Sequence, residues 1–342
     1  PVSHVSGYDR SMGNADRQIR WGILGTGVIA RAFVEGLRHA RGAVSRAVGS
    51  RSLATARAFG ERHGVPVWYG SYEQLAADPE VDVIYVATPH ALHMEHALLG
   101  LDAGKAVLCE KPFALNASQA ERMIRRAREA RLFLMEAMWT RFLPAVRVAR
   151  RWLAEGRIGS LRLVQADFGF RAERGEEPKL FDPTLGGGAL LDVGCYPVSL
   201  ACWLFGAEPV EITGCAALGP TGVDEWGAAV LRFPGDGIAQ AACAIRVETP
   251  QEAVLSGDTG VIRLKPPFWR CERITLERDG RVEEEARFPL EGNGYNYEAE
   301  AVMDCLREGR VDHPDMPLDE SLMITRTLDR IRSIWGVRYP GE

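Results

Sequence analysis

The chain has 342 residues, with 41 Lys and Arg against 46 Asp and Glu, a formal net charge of -5. Its length predicts two domains, and 46% hydrophobic with 25% charged residues is an ordinary globular composition that excludes disordered, collagen-like and coiled-coil classes. The mildly acidic balance gives no electrostatic case for binding nucleic acid or an acidic membrane, so small molecules are the expected partners.

Residues 1–18 are polar, lack the apolar core of a signal segment, and are expected to form a frayed arm. No later run reaches about 18 uninterrupted apolar residues, so no membrane span is expected. Seven scattered cysteines, never spaced C-x-x-C, point to a reduced, cytoplasmic protein.

Residues 19–140 alternate short apolar runs with amphipathic stretches, the pattern of a doubly wound parallel sheet that binds dinucleotides. Strands are expected over Ile19 to Leu24, Ala43 to Gly49, Val65 to Trp68, Val83 to Ala87, Ala106 to Cys109 and Leu132 to Met135. Helices are expected over Arg31 to His39, Leu53 to His63 with Gly64 as a left-handed stop, and from an Asn116 cap to Ala130.

The register changes over residues 141–342. A helix through Ala145 to Glu155 is followed by strand-like runs at Leu161 to Phe170, Val210 to Ala217, Gly227 to Phe233, Ile238 to Glu248, Glu252 to Ser256, Val261 to Leu264 and Arg273 to Glu277. Turn signals at 234–237, 257–260 and 279–280 predict antiparallel hairpins. Two helices, Tyr297 to Arg307 and Asp319 to Trp335, end the chain and pack on this sheet or back on the first domain. The expected class is α/β: a Rossmann domain, then an α+β domain with a large, mainly antiparallel sheet for substrate binding and oligomerisation.

The first strand runs into Gly25-Thr26-Gly27-Val28-Ile29-Ala30, a G-x-G-x-x-A loop opening a helix. Such a loop turns tightly, admits a pyrophosphate against backbone amides and faces it with a helix N-terminus. The second strand lacks the terminal acid that accepts an NAD ribose hydroxyl and ends instead in Gly49-Ser50-Arg51-Ser52. Arg51 with two hydroxyls suits a 2′-phosphate, so NADP is expected over NAD, although Ser50 and Ser52 could also cap the next helix.

Thr88, His90 and His93 follow the fourth strand, and Glu110 and Lys111 end the fifth, at the carboxyl edge where doubly wound folds bind ligands. His90, His93 and His96 step round a helix without an acidic partner set, so no metal is expected, and His90 and His93 are read as lining or buttressing the nicotinamide side. A glycine run, Gly186 to Gly188, leads to Asp192 and Tyr196, which share one face if helical.

Glu110-Lys111-Pro112, together with Asp192 and the residue four positions later, resembles the glucose-fructose oxidoreductase and inositol dehydrogenase (Gfo/Idh/MocA) family. Many members have histidine where this chain has Tyr196. The runs Met135 to Phe142, the glycines with Tyr196, and Pro314 to Leu322 resemble the branch containing dimeric dihydrodiol dehydrogenase and NADP-dependent D-xylose dehydrogenase. The resemblance implies that Lys111 and Tyr196 sit beside nicotinamide C4 with Asp192 adjacent, that a second domain closes over substrate, and that the chain is a homodimer or higher oligomer.

Oxidising a carbinol requires a base for its hydroxyl proton. A free tyrosine is a poor base near neutrality, and a neighbouring ammonium such as Lys111 would lower its pKa. Trp139, Arg141, Phe168, Arg171 and Phe181 are candidates for a sugar- or ring-stacking substrate wall, and each could equally be core. Tyr196 could likewise be a buried core tyrosine and Asp192 a structural cap. The expected activity is NADP-dependent hydride transfer to or from a secondary alcohol, hemiacetal or carbonyl of a sugar or cyclic vicinal diol. The alternatives are a redox-cofactor-assisted glycosidase and a non-enzymatic cofactor- or sugar-sensing regulator.

Overall fold

A computed structural model describes residues 17–175 and 177–342. Apart from Arg17 and Gln18, the expected arm lies outside them.

The first sheet carries β1 (Ile19–Leu24), β2 (Ala43–Gly49), β3 (Val67–Tyr69), β4 (Val83–Val86), β5 (Ala106–Glu110) and β6 (Leu134–Ala137). All pairs are parallel in the order β3-β2-β1-β4-β5-β6, so the order reverses between β1 and β4. Strands buried on both faces need near-continuous apolar sequence, which β4 and β5 supply. Between the strands run α1 (Val28–Leu37), α2 (Leu53–His63), α3 (Tyr72–Ala76), α4 (His93–Asp102) and α5 (Ala117–Ala130). Gly64 ends α2 in the left-handed conformation, and the Asn116 side chain accepts the Gln119 N–H at the start of α5.

After α6 (Pro144–Ala154) the chain enters the second sheet through β7 (Leu161–Gly169), then passes through α7 (Cys195–Phe205). The sheet continues with β8 (Glu211–Leu218), β9 (Asp224–Arg232), β10 (Ile238–Ala244), β11 (Ala253–Gly257), β12 (Val261–Leu264), β13 (Arg273–Arg278) and β14 (Arg281–Arg287). Its order is β14-β13-β12-β11-β7-β10-β9-β8, and only the β7–β10 pair is parallel. The three expected hairpins join β9 to β10, β11 to β12 and β13 to β14. Alternation puts Val164, Ala166, Ala239, Ala241 and Leu231 in the core and leaves Gln165, Gln240, Trp226 and Val230 on an open face.

The chain ends with α8 (Tyr295–Glu308) and α9 (Leu318–Trp335). Helix α8 lies against α1 so closely that a Cβ on Gly36 would stand 2.7 Å from Tyr295 Cβ.

Several boundaries differ from expectation. Helix α1 begins at Val28 rather than Arg31, because the glycine loop itself opens the helix. The expected long strand to Glu248 stops at Ala244. Strand β14 was hidden by its charged, exposed sequence RVEEEAR, and α3 by its single turn and a half. The run Pro183–Phe205 is long and apolar enough to cross a membrane, yet 83% of its apolar window is buried inside the protein, as suits a core helix.

Candidate active site

The glycine loop is built as a cradle. Gly25 has φ +116°, and a Cβ there would lie 2.6 Å from the Ala87 carbonyl oxygen, so only glycine lets β1 pass β4 at this turn. Gly27 precedes α1, and a Cβ on it would meet nothing within 4 Å. No side chain caps this helix and its first turn holds no acid, which leaves the N–H groups of the turn carrying Val28 and Ile29 free of side-chain partners. These features fit a dinucleotide pyrophosphate: the loop holding Gly25, Thr26, Gly27, Val28 and Ile29 would carry it on backbone amides.

At the end of β2, Ser50 is buried while Arg51 and Ser52 are exposed. Ser52 precedes α2 but makes no side-chain capping bond, so its hydroxyl is not spent on the helix. The Arg51 charge reaches Tyr72 and His96, whose rings meet edge to face at 4.6 Å. His96 Nδ1 lies 3.0 Å from Thr88 Oγ1.

His93 is fully buried. Its two ring nitrogens lie 2.9 Å from the Thr88 carbonyl and 2.8 Å from the Pro112 carbonyl, between the loop after β4 and the loop after β5, and the neutral ring donates to one of the two. Burial pushes its pKa down to about 3. His90 Nδ1 lies 2.9 Å from the Gly186 carbonyl and therefore carries the proton, which leaves Nε2 as an acceptor 3.9 Å from Asp192 Oδ1. Burial lowers His90 to about 4 and keeps it neutral.

Lys111 reaches across to the second domain. Its Nζ donates to the Asp192 carbonyl oxygen at 2.6 Å and lies 3.4 Å from Asp192 Oδ1. It also stands 5.2 Å from the Tyr196 ring centroid. Burial opposes both charges, yet the pair holds Lys111 above and Asp192 below their ordinary values. Asp192 sits in a π-helical turn, Leu190–Gly194, that runs directly into α7 and presents Tyr196. Such wide turns recur at functional sites.

Tyr196 departs from expectation in its electrostatics. Burial holds its phenol well above 10, Cys195 and Glu110 add to the shift, and the Trp139 indole, which donates to the hydroxyl at 3.0 Å, only partly offsets it. Lys111 faces the ring rather than the oxygen, so the expected lowering by an ammonium is not realised.

The substrate-wall candidates divide. Trp139 and Phe168 come to Tyr196, the latter with ring centroids 5.4 Å apart. Arg141 turns inward, to the Ser199 hydroxyl at 2.8 Å and Glu320 at 2.9 Å, and joins the core rather than a cleft wall. Arg171 is exposed and paired with Glu173, and Phe181 packs under Arg174, whereas the ring and hydrogen-bond partners of Tyr196 are Phe168 and Trp139. Glu110 also faces inward: it accepts from the Tyr85 hydroxyl and the Lys111 N–H, and burial raises it to about 7.

Two aromatics escaped the sequence reading. Trp269 stacks on Phe168 at 4.8 Å and is held by Gln251 and Thr140. Tyr295 stacks on Trp139 at 4.4 Å. Neither lies in a motif, and both come from distant segments.

Residues 19–138 match the oxidoreductase family with an NAD-binding Rossmann fold, and residues 146–263 match the GFO/IDH/MocA C-terminal domain. The chain belongs to the GFO/IDH/MocA oxidoreductase family. Among its relatives, trans-1,2-dihydrobenzene-1,2-diol dehydrogenase of Homo sapiens is 38% identical over 95% of this chain and 99% of that protein. The Danio rerio enzyme of the same name is 37% identical over 94% and 98%. Aldose-aldose oxidoreductase from Caulobacter crescentus, solved with glycerol, has a TM-score of 0.85 at 25% identity over 93% of this chain and 97% of its own. KijD10, a 3-ketoreductase from Actinomadura kijaniata solved with NADP and TDP-benzene, has a TM-score of 0.83 at 29% identity over 93% and 98%. This GFO/IDH/MocA protein is thus a dehydrogenase or reductase acting on CH–OH groups with an NAD(P)-binding domain.

Proposed function

We propose that this enzyme is an NADP-dependent dehydrogenase that interconverts a secondary alcohol or hemiacetal and its carbonyl on a sugar or cyclic vicinal diol. The observation that carries the reading is the meeting of Lys111 with Asp192 and Tyr196 beside the aromatic rings of Trp139, Phe168 and Trp269. Flat aromatic faces suit the apolar face of a sugar or carbocycle, and the charged pair suits its hydroxyls. When bound, the nicotinamide supplies the acceptor or donor of the hydride.

The residues divide the remaining work. Lys111, kept charged by Asp192, hydrogen-bonds the reacting oxygen and favours negative charge there. Tyr196 retains its proton in the free enzyme, which suits donation to a carbonyl oxygen during reduction. In the oxidative direction the phenol must first lose that proton. Asp192 orients Lys111 and accepts from a neighbouring substrate hydroxyl. Arg51, with Ser50 and Ser52, favours NADP over NAD, supported by the solved NADP complexes of KijD10.

Similarity to the diol dehydrogenases supports a cyclic diol, and similarity to the aldose enzyme supports a sugar. Both are carbinols with a vicinal hydroxyl. Trp226, Val230 and Ile238 on the open sheet face fit a second copy of this chain, giving a homodimer. Seven free cysteines, six of them buried, suit a reducing cytoplasm. The test is turnover of NADP and NAD against sugars, inositols and cyclic trans-diols, with sedimentation for the oligomer. A parent enzyme that uses NAD better than NADP would overturn the cofactor reading.

A further inference from the structure

The glycine run entering the Asp192 turn is held by two residues that take no part in the chemistry above. Asp224, fully buried at the start of β9, receives the Leu190 N–H on Oδ2 at 2.6 Å. Tyr339, buried beyond α9, donates its hydroxyl to the Gly187 carbonyl at 2.7 Å. Both oxygens face one backbone: a Cβ on Gly188 would stand 2.4 Å from Asp224 Oδ1 and 3.4 Å from the Tyr339 oxygen. Gly188 has φ +118°, so glycine is required twice over.

The segment carrying Tyr339 is anchored to both domains. Its ring lies 5.3 Å from the Arg332 guanidinium, which is gripped by Glu342 and Asp329. Glu342 also accepts from Asn116 at 2.9 Å, and Asp329 accepts the Ala117 N–H at 2.8 Å. Asn116 and Ala117 open α5, the helix that follows the Lys111 loop. The chain after α9 therefore spans from the Lys111 side of the cleft to the turn that bears Asp192.

We propose that Asp224 and Tyr339 are positioning residues for hydride transfer, fixing the backbone from Gly187 to Leu190 so that Asp192 and Tyr196 meet Lys111. Two facts make the backbone decisive. The short contact of Lys111 is to the main-chain oxygen of Asp192, so a shift of the turn moves the ammonium directly. Tyr196 follows on the same continuous helical segment and moves with it. A displacement of about 1 Å among reacting groups can cost on the order of 10² in rate. The inference rests on the proposed roles of Lys111, Asp192 and Tyr196.

Tyr339→Phe keeps the ring and its contact with Arg332 while removing the bond to Gly187. Asp224→Asn keeps an acceptor for the Leu190 N–H, and Asp224→Ala keeps none. With D-xylose and trans-cyclohexane-1,2-diol as substrates, Tyr339→Phe is expected to lose about ten-fold in kcat with KM for NADP and NADP affinity unchanged. For Asp224, kcat should fall from parent to Asn to Ala, the conservative variant recovering part of the loss. Amide exchange across residues 189–192, which needs no substrate, should quicken in Tyr339→Phe. Parent-like kcat or parent-like exchange in that variant would overturn the proposal, as would a matching loss of NADP affinity. An inactive parent would count against the proposed substrates, and exchange would then decide the positioning role alone.

Discussion

The Lys111 ammonium is bound to the main-chain oxygen of Asp192, 2.6 Å away on the other domain. The residue that follows β5 of the cofactor domain is thus joined to the turn that leads into the helix bearing Tyr196. In the proposed mechanism cofactor binding and proton handling meet at this one contact, although the residues assigned to them are separate.

That separation sets the first expectation. Lys111→Met should lower hydride transfer by at least about 10³ while leaving NADP affinity within a few-fold, because the glycine loop and Arg51 supply the dinucleotide contacts. Fluorescence titration and single-turnover kinetics on the same sample check it. Loss of NADP binding in step with rate would place Lys111 in the binding machinery instead.

Arg51→Ala should remove most of any preference for NADP over NAD. A charge-assisted phosphate contact contributes about 1.5 to 3 kcal/mol, or roughly 10- to 150-fold in affinity. Titrating both dinucleotides measures it. An unchanged NADP-to-NAD ratio would show that Arg51 does not face the 2′-phosphate.

Tyr196→Phe should cost on the order of 10² to 10⁴ in the chemical step. Because burial holds the phenol well above 10, the oxidation rate of the parent should still be climbing with pH at the alkaline end of its stable range. Carbonyl reduction, which uses the protonated phenol, should stay level over that range. Single-turnover pH profiles in both directions check this, and a parent-like alkaline limb in Tyr196→Phe would pass the proton role to another group.

Glu298 is fully buried with no hydrogen-bond partner on either oxygen, and burial followed by the Glu110 charge raises it well above the ordinary carboxyl value. A raised carboxyl binds its proton more tightly in the folded chain. Its contribution to stability is therefore full below about pH 4.3 and is lost as pH rises through the folded pKa. Glu298→Gln should shrink the fall in stability as pH rises from about 5 to about 8. Urea denaturation at the two pH values checks it, and an unchanged difference would refute the buried proton.

The cofactor half was legible because its information is local. Apolar runs, a glycine loop between strand and helix, and Asn116 three residues before Gln119 each announce themselves within a few positions. Lys111, Asp192 and Tyr196 were legible through short motifs. Orientation was not: Arg141 reads like a substrate ligand until Ser199 and Glu320 arrive from distant segments and take its guanidinium. The Tyr196 environment was misread for the same reason, since Trp139 claims its hydroxyl and Lys111 meets only its ring. Trp269, Asp224 and Tyr339 lie in unremarked sequence and gain meaning only when the second sheet and the end of the chain close around the turn.

The most direct measurement is NADPH formation by the parent and by Lys111→Met across a panel of sugars, inositols and cyclic trans-diols. The parent should reduce NADP with at least one class of carbinol, and Lys111→Met should bind NADP without reducing it. Undiminished reduction by Lys111→Met, or a parent that binds NADP and oxidises no carbinol on the panel, would contradict the assignment.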